Sequence, residues 1–545
     1  MSNIMNTRAS VAALAAALLS STPSFAAEVA GGQRGFEELR NTVINLLQGL
    51  VERGVISREQ AAQMVKDAQA KAEADTDKAV AQARSEEGAV RVPYVPEIVK
   101  QEIRRQVAAD LGKEVTGNVI DAAKSEGWGV PASLPDWVKR MTWSGDIRVR
   151  GQEDLFARDN LPNSYIDFQK VNDAGGIGKA GVNAFLNTSE NRQRMRARLR
   201  FGFETNLGSG WTLGTRMTTG NLKDPVSTNQ TLGNMGARYQ TGFDLAYLQW
   251  SGNSDTGRQV LTVSGGRIRN PFATATDLVF DQDLNFEGVA ATYRLGLMRD
   301  DPYAHYVYLT AGAFPLQESE LTRDKWLFGG QTGLDWKFSG GSRLRLGGGY
   351  YQYKNVAGQR NALDSTLLDY TAPTWLQRGN TLFDIRNDSD PNTNLFALAA
   401  DYRLANASAA FDWRISTAYR VSFNADYVRN IGYDAARVQA RTGFAVQPRI
   451  NGYQGEVAFG SAVMAEANAW RVAVGYRYVQ RDAVLDGFTD SDFHLGGTDA
   501  RGYTLGIDYG LTRRVMARLR YLSANEIDGP PLGIDVVQLD FNASF

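Results

Sequence analysis

Apolar and polar residues alternate along many short segments of this chain. From Met195 to Phe203 every second residue is apolar, and the residues between them are mostly arginines. The last ten residues, 536–545, alternate in the same way and end on Phe545. Successive side chains of a β-strand point to opposite faces, so each such segment predicts a strand with one apolar and one polar face. A length of about ten residues suits a tilted strand that crosses a bilayer.

About sixteen segments show this alternation, an even number within the range of known membrane barrels. The predicted strands cover residues 144–150, 194–205, 211–219, 242–251, 258–267, 286–296, 303–314, 326–338, 342–353, 394–404, 419–429, 453–460, 469–481, 502–510, 513–522 and 535–545. Short connections, as at 207–210 and 510–513, alternate with long ones at 152–193, 220–241, 268–285, 354–393, 430–452 and 482–500. The connection 405–418 is an exception, because it is long for a turn and contains Phe411, Trp413 and Ile415.

These strands predict an all-β fold, a transmembrane antiparallel β-barrel of about sixteen strands over residues 141–545, preceded by a small α-helical periplasmic region. In hydrocarbon every backbone polar group needs an internal partner, and a closed sheet leaves no unpaired edge. The polar face repeats Arg, Asp, Gln, Ser and Gly on strand after strand, so it is expected to line a water-filled lumen and not a packed core. The last strand is expected to pair with the first, around residues 146–150, and to close the sheet.

The front of the chain lacks this alternation. A basic residue, a short apolar run and small residues before Ala26 match a secretory signal peptide over residues 1–26, with Ala27 as the alternative cleavage position. Residues 27–140 show helical periodicity, beginning with the apolar stripe of 34–54. Two interpretations stay open for this region. It is either a coiled-coil module in the periplasm that self-associates or contacts peptidoglycan, or a helical hairpin that packs on itself or on the barrel mouth.

The composition excludes several other classes of structure and functional site. The mean hydropathy is −0.33, and beyond the front of the chain no run of about 18 apolar residues predicts a spanning helix. The chain has no cysteine, which excludes a disulfide framework, a thiolate metal site and a cysteine nucleophile. The two histidines, His305 and His494, lie far apart in the sequence. A net charge of −1 gives no indication of nucleic-acid binding.

Several motifs resemble those of the putative porin family of proteobacterial outer-membrane proteins. They are the residues 92–97 (VPYVPE), 143–150 (WSGDIRVR), 266–267 (GR), 270–272 (NPF), the stretch from Phe280-Asp281 to Glu287-Gly288, and the terminal Phe545. The resemblance covers most of the mature chain. It implies a channel in the lipid of a Gram-negative outer membrane, a homotrimer, through which small hydrophilic solutes or ions diffuse passively. It implies no catalytic residue, metal or cofactor.

A closing strand that ends on an aromatic carboxy-terminus also resembles the closing strands of bacterial outer-membrane barrels in general. By that resemblance, Phe545 is the expected assembly signal through which the last strand meets the barrel-assembly machinery.

The candidate functional residues are charges on the polar face, because a water-filled pore discriminates by its width and by the charges at its constriction. The basic stripe consists of Arg148, Arg150, Arg194, Arg196, Arg198 and Arg200. One hypothesis is that this stripe favours anions; the alternative is that the arginines only solvate the lumen or pair with inward acids. The connection 268–285 could fold inward and place Asp277, Asp281 and Asp283 opposite the arginines, which would set a transverse field across the pore.

Other functions find less support in the sequence. Residues 281–283 and 388–392 carry oxygen ligands of the kind that calcium prefers, but the second stretch lacks the EF-hand glycine, and a solvated loop is the simpler interpretation of both. The rival function is an adhesin or an esterase-like enzyme on the same barrel. Neither histidine has a flanking serine–aspartate arrangement that stands out, and no repeats indicate an adhesin. We therefore expect no enzymatic activity.

Overall fold

The computed structural model describes residues 140–254, 258–298, 304–320, 322–390 and 392–545. In these ranges the chain forms a closed antiparallel β-barrel of 16 strands, which confirms the predicted fold class. The signal peptide and the helices predicted before residue 140 lie outside the described residues. None of the helices in the described ranges is long and apolar enough to span a membrane.

In chain order the strands are β1 (Met141–Phe156), β2 (Arg192–Gly208), β3 (Trp211–Thr219), β4 (Gln230–Thr231), β5 (Thr241–Asn253), β6 (Gln259–Arg269), β7 (Asn285–Gly296), β8 (His305–Gln317), β9 (Lys325–Lys337), β10 (Arg343–Lys354), β11 (Leu382–Asp384), β12 (Phe396–Leu398), β13 (Arg403–Arg414), β14 (Tyr419–Asn430), β15 (Asn451–Ser461), β16 (Trp470–Val479), β17 (Ala500–Gly510), β18 (Val515–Glu526) and β19 (Gly533–Ser544). All belong to the barrel wall except β4, which pairs locally with β2, and the separate hairpin of β11 and β12. The α-helices are α1 (Phe168–Ala174), α2 (Ile177–Ala180) and α3 (Ala435–Thr442), and single 3₁₀ turns cover Gly181–Ala184, Asp369–Thr371, Asp486–Phe488 and Phe493–Leu495.

The first and last strands close the barrel, as predicted. The pairing of β1 with β19 runs from Asp146 opposite Ser544 to Phe156 opposite Ile534. At its end the backbone N–H of Phe545 donates to the carbonyl of Gly145 at 3.0 Å, and the N–H of Gly145 donates back at 3.2 Å. Closure leaves no strand edge of the wall without a partner.

Exposure alternates along the strands with the predicted parity. Met195 of β2 and Phe541 of β19 are 58% and 48% exposed on the outer face. Their inward neighbours in the sequence are polar and shielded, as Gln538 and Asp540 of β19 show with 0% and 2% exposure. The apolar face is therefore turned outward around the barrel, and the polar face is turned inward.

One predicted strand is wrong. Residues 394–404 do not cross the barrel, and the wall strand is β13, which pairs with β10 through Phe411 opposite Leu344. The apolar run that suggested a strand includes Ala397 and Ala399, and both are fully buried beneath the long loops. The strand count stays at 16, because β13 replaces the predicted segment.

The connections divide into two groups at the two ends of the barrel. Short connections lie at one end, at residues 209–210, 338–342, 415–418, 462–469 and 511–514. Long connections lie at the other end, at residues 157–191, 220–240, 270–284, 355–402, 431–450 and 480–499, together with two shorter ones at 318–324 and 527–532. We call these the turn end and the loop end.

The inner face is not polar along its whole length, which corrects the expectation of a uniformly aqueous lumen. On β19, Ile534 and Val536 are each 2% exposed, and only the next inward positions are polar. The loops cover such apolar strand ends with aromatic side chains: Phe280 and Phe272 each lie edge-on to Tyr351 with ring centroids 4.9 Å apart. The loop end therefore contains a packed hydrophobic core, and the polar inner face begins below it.

Candidate functional site

A row of directly opposed charges crosses six neighbouring strands on the inner face. In the order β16, β17, β18, β19 and β1, the register places Arg471 opposite Asp508, Asp508 opposite Arg518, Arg518 opposite Asp540, and Asp540 opposite Arg150. Opposite charges that face each other across strands stabilise a sheet, whereas like charges destabilise it. We call these five residues, together with Arg196 of β2, the charge row. Its alternation breaks at the next strand, where Arg150 lies opposite Arg196 of β2.

Short ion pairs hold the alternating part of the charge row. Asp508 is 2.7 Å from a guanidinium nitrogen of Arg471 and 2.5 Å from one of Arg518. Asp540 accepts from Arg150 at 2.7 Å. Of these residues, sequence reasoning singled out only Arg150 as a site residue. The other four were not predicted as site residues, although the alternation already placed them on the polar face of their strands.

The six predicted arginines do come together on β1 and β2, and five of them pair with inward carboxylates. Asp146 accepts from Arg198 at 2.8 Å and from Arg200 at 2.7 Å, and Arg194 pairs with Asp154 at 2.6 Å. Arg150 pairs with Asp540 at 2.7 Å, and Arg196 lies at the longer distance of 3.9 Å from Asp492. The sixth, Arg148, donates to the side-chain oxygen of Asn229, and no described carboxylate lies within 4.0 Å of it.

The 270–284 loop folds into the barrel and reaches strands on the far side of the wall. The backbone N–H of Ala273 donates to the side-chain oxygen of Gln331 on β9 at 2.8 Å. The Thr276 hydroxyl donates to the carboxylate of Asp426 on β14 at 2.8 Å. The loop begins at β6 and ends at β7, so these contacts carry it across the lumen.

The three predicted acids of this loop do not form one wall. Asp277 pairs with Arg477 of β16 at 3.1 Å, and Asp283 pairs with Arg200 of β2 at 3.1 Å. Asp281 instead turns toward a second inward loop, 480–499, where its carboxylate accepts from the backbone N–H of Ser491 at 3.3 Å.

The 480–499 loop brings a carboxylate to the break in the charge row. Asp492 accepts two hydrogen bonds from Nη1 of Arg150, at 2.8 and 3.0 Å. It also accepts from Nη1 of Arg520 on β18 at 3.3 Å, and Nη1 of Arg196 lies 3.9 Å away. The loop thus supplies the negative charge that the register omits between Arg150 and Arg196.

Sequence reasoning predicted a long connection at 482–500 but not that this loop folds inward to the charge row. Its position depends on buried contacts with another loop, 355–402: the backbone N–H of Thr381 donates to Asp482 at 2.9 Å, and that of Gln377 donates to Asp486 at 2.9 Å. The available signal was the density of aspartates, four of them between residues 482 and 492. Nothing in the sequence alone says that these aspartates face inward.

The loop acids have strongly different proton affinities. Burial, reinforced by the charge of Asp277, raises the pKa of Asp490 to about 6. Burial and the neighbouring Asp490 also raise the pKa of Asp281 well above its ordinary value. Burial acts in the same direction on Asp492, but the guanidinium of Arg150 outweighs it and holds the pKa of Asp492 well below its usual range. At neutral pH, Asp492 is therefore a permanent anion, and Asp490 is close to titration.

A cavity of about 460 Å³ lies between the charge row and the two inward loops. Equal numbers of basic and acidic side chains line it, namely Arg148, Arg150, Arg198, Arg471, Arg477, Arg518 and Arg520, and Asp277, Asp281, Asp283, Glu456, Asp490, Asp492 and Asp508. The strands contribute all of the arginines, and the loops contribute five of the seven acids. Such a cavity offers hydrogen-bond donors and acceptors to a small hydrophilic solute, with mostly positive charge on the strand side and negative charge on the loop side.

The histidines show no arrangement for nucleophilic catalysis. His494 is fully buried, with Nε2 2.9 Å from the carbonyl oxygen of Leu532 and Nδ1 2.6 Å from Nη1 of Arg378. A carbonyl accepts only, so Nε2 carries the proton and Nδ1 accepts from Arg378. His305 packs edge-on to Trp336 at 4.3 Å. Within the described ranges neither ring has a hydrogen bond to a serine or threonine hydroxyl.

No group of three or more His, Cys, Asp or Glu side chains in the described ranges is arranged to hold a metal ion. In the two stretches considered for calcium, the carboxylates have protein donors. Asp283 accepts from arginines, and Asp388 accepts from the hydroxyl of Thr393 at 2.7 Å. Both stretches are therefore loops whose carboxylates bond to protein donors.

Phe545 lies at the turn end of the closing strand pair. Its ring is 56% exposed on the outer face and lies 6.2 Å from the ring of Phe201. A Cβ atom at Gly145 would come within 2.4 Å of the Phe545 ring, so this glycine allows the terminal aromatic side chain to lie flat against β1.

The sequence matches the model of a family described as Putative porin over residues 40–545. No curated protein matches it. Among solved structures, the fold is similar to the high-pH structure of OprB from Pseudomonas putida, with 12% identity and a TM-score of 0.41 over 77% of this chain and 97% of that chain.

Two further solved structures are similar over 74% of this chain and 97% of their own. The outer membrane channel DcaP of Acinetobacter baumannii has 11% identity and a TM-score of 0.37. OmpF of Salmonella typhi, in complex with daunomycin, has 10% identity and a TM-score of 0.38.

Proposed function

Because this chain belongs to the Putative porin family and is an outer-membrane channel protein, we propose that its barrel admits small hydrophilic solutes and ions by passive diffusion through a water-filled lumen. The observation that carries the proposal is the polar cavity of about 460 Å³, enclosed by the charge row on one side and by the two inward loops on the other. A channel selects by such constrictions, where opposed charges act on the solute at short range.

We further propose a weak preference for anions. With all groups ionised, the arginines and carboxylates of the cavity balance, so the fixed charge alone favours neither sign strongly. The raised pKa values of Asp490 and Asp281 break this balance, because protonation removes negative charge while the arginines keep theirs. The preference should therefore be modest at neutral pH and grow below about pH 6.

The proposal extends to the surroundings of the barrel. The outward apolar strand faces suit outer-membrane lipid, and the family supports a homotrimer as the working assembly. A signal peptide over residues 1–26 would export the chain, and the helical, coiled-coil-type region of residues 27–140 would stay in the periplasm, with peptidoglycan as its candidate partner. Phe545 is the proposed contact of the closing strand with the barrel-assembly machinery.

Single-channel recording in planar bilayers tests the channel and its basic wall together. Purified full-length protein is expected to give discrete conductance steps in KCl. Replacing Arg196, Arg198 and Arg200 together with glutamine should lower the chloride-to-potassium permeability ratio several-fold, because three positive charges leave the lumen wall. Arg360→Gln is the matched control, since Arg360 is exposed on a long loop.

The two parts of the proposal fail in different ways. Folded barrels without any conductance steps would contradict the channel itself. Steps whose size and selectivity are the same in wild type and in the triple variant would leave the channel standing and refute the basic wall.

A further inference from the structure

Asp492 differs from the other acids around the charge row, because it reaches Arg150 from a loop. Asp508 and Asp540 belong to wall strands, and the strand register fixes them opposite their arginines. Asp492 lies at the break in the row, where Arg150 and Arg196 face each other directly. Its carboxylate therefore completes the row from outside the sheet.

The segment that carries Asp492 is short and is held on both sides. On one side, the hydroxyl of Thr489 donates to the carbonyl of Leu278 at 2.9 Å. On the other side, Nε2 of His494 donates to the carbonyl of Leu532 at 2.9 Å. These anchors hold the Asp492 backbone next to the arginines, so withdrawal of its carboxylate requires a rotation of the side chain.

The arginines offer more donors than Asp492 uses. Besides the contacts of Arg150, Arg196 and Arg520 with Asp492, Nε of Arg148 and Nε of Arg196 are buried and have no hydrogen-bond partner in the described part of the chain. Arg148 also lines the cavity beside Arg150 without a carboxylate partner there. Guanidinium groups bind carboxylates through charge-assisted hydrogen bonds. Asp492 accepts two such bonds from the single nitrogen Nη1 of Arg150, whereas Asp540 accepts from Nε and Nη2 of the same guanidinium.

We propose that Arg150, Arg196 and Arg520, with Arg148 beside them, form a binding site for the carboxylate group of a permeating solute, and that Asp492 occupies this site as a tethered competitor. The inference rests on the proposed channel function, and it names carboxylate-bearing small molecules as the solute class. A solute carboxylate enters the site when Asp492 swings out, and Asp492 returns when the solute leaves. The tether keeps binding weak, which favours passage over capture.

Competition of this kind predicts a definite effect of removing the tethered charge. The apparent dissociation constant of a solute is its intrinsic constant divided by the fraction of time that the site is free. If Asp492 occupies the site for more than about nine-tenths of the time, freeing it lowers the apparent dissociation constant at least about tenfold. A neutral solute of the same shape should show no such gain, because it carries no negative charge to form an ion pair with the arginines.

The test is a titration of purified full-length protein with acetate, followed by the line width of the acetate methyl NMR signal, with acetamide as the neutral probe of the same shape. Asp492→Asn is expected to bind acetate about tenfold more tightly than wild type and to leave acetamide unchanged. Asp540→Asn is the matched control. It removes one carboxylate from the same Arg150 guanidinium but leaves Asp492 in place, so its gain in acetate affinity should stay well below that of Asp492→Asn.

Two results would overturn the proposal: equal acetate affinity in wild type and Asp492→Asn, or an equal gain in both variants, which would indicate general electrostatics. Heat-modifiable migration verifies that each barrel is folded, and Asp492→Ser serves in place of the asparagine variant if that variant does not fold. Single-channel recording of the same samples separates this inference from the channel function. An acetate gain without conductance would refute the channel, whereas conductance without an acetate gain would refute the tethered competitor.

Discussion

Lowering the pH from about 7.5 to about 5 is expected to raise the anion-to-cation permeability ratio of the channel. Protonation of Asp490 should cause most of this increase, because its pKa is about 6. Asp490 lines the cavity from the 480–499 loop. The charged groups that face it are Asp277 and Asp281 of the 270–284 loop, Arg477 of β16, Arg520 of β18 and Asp492 of its own loop. Its pKa is raised, so it is ionised above about pH 6 and neutral below, and the cavity becomes net positive as the pH falls.

The size of the shift follows from the size of the cavity. A volume of about 460 Å³ corresponds to a radius of roughly 5 Å, at which a wall charge acts on a central ion with about 0.8 kcal/mol in water. A Debye length of about 10 Å reduces this to about 0.5 kcal/mol. Loss of the charge lowers the anion barrier and raises the cation barrier by that amount, so the permeability ratio should change about fivefold.

The assay is the reversal potential in a KCl gradient across a planar bilayer, measured from about pH 7.5 to about pH 5 on wild type, Asp490→Asn and Glu190→Gln. At neutral pH, Asp490→Asn should already show the permeability ratio that wild type reaches at low pH. Its ratio should therefore not change near pH 6. Glu190 is exposed on the 157–191 loop, so its neutralisation should leave the step intact. The reasoning is refuted if the wild-type ratio stays constant across this range, or if Asp490→Asn keeps the full step.

Two further predictions concern folding of the barrel. Deleting Phe545 should impair membrane assembly while leaving export intact, because it removes the backbone pair with Gly145 at the closure of the sheet; equal amounts of heat-modifiable barrel with and without the residue would count against this. Phe280→Ala should lower the free energy of unfolding by about 3–5 kcal/mol, because Phe280 is 1% exposed in the loop-end core. The midpoint of thermal loss of the heat-modifiable form measures this effect, with the outward Phe328→Ala as control; equal midpoints for the two variants would contradict it.

The alternation predicted the barrel wall well because the outer face must be apolar along the whole height of each strand. Lipid imposes that requirement on every strand, so one sequence is sufficient to show it. The prediction failed at β13, where Ala405, Ala407 and Ala409 give only a weak apolar face. The nearby run around Ala397 is more apolar, but it is buried among loops. A segment buried by loops and a segment that faces lipid show the same apolar sequence pattern.

The inner site was predictable only in part. The inward parity of Arg150 and Arg196 follows from the strand pattern, but that they lie directly opposite each other depends on the register of β1 and β2. Asp492 meets Arg150 across 342 positions of sequence, through a loop whose path is set by contacts with other loops. Hydrophobic periodicity contains no information on such a path, so the residue that completes the charge row could not be identified from the sequence.

The loop-end core and the charge row depend on each other. Two pairs of arginines, Arg148 with Arg198 and Arg150 with Arg196, lie directly opposite on β1 and β2, and like charges in that position destabilise a sheet. Two of the four carboxylates that offset this repulsion, Asp283 and Asp492, come from loops. A loop in water loses conformational entropy when it holds a charge in place. The apolar packing of the loop end holds the loop backbones in place and so reduces this cost. A polar lumen with fixed selectivity therefore requires an apolar core directly above it, which a uniformly aqueous interior would not provide.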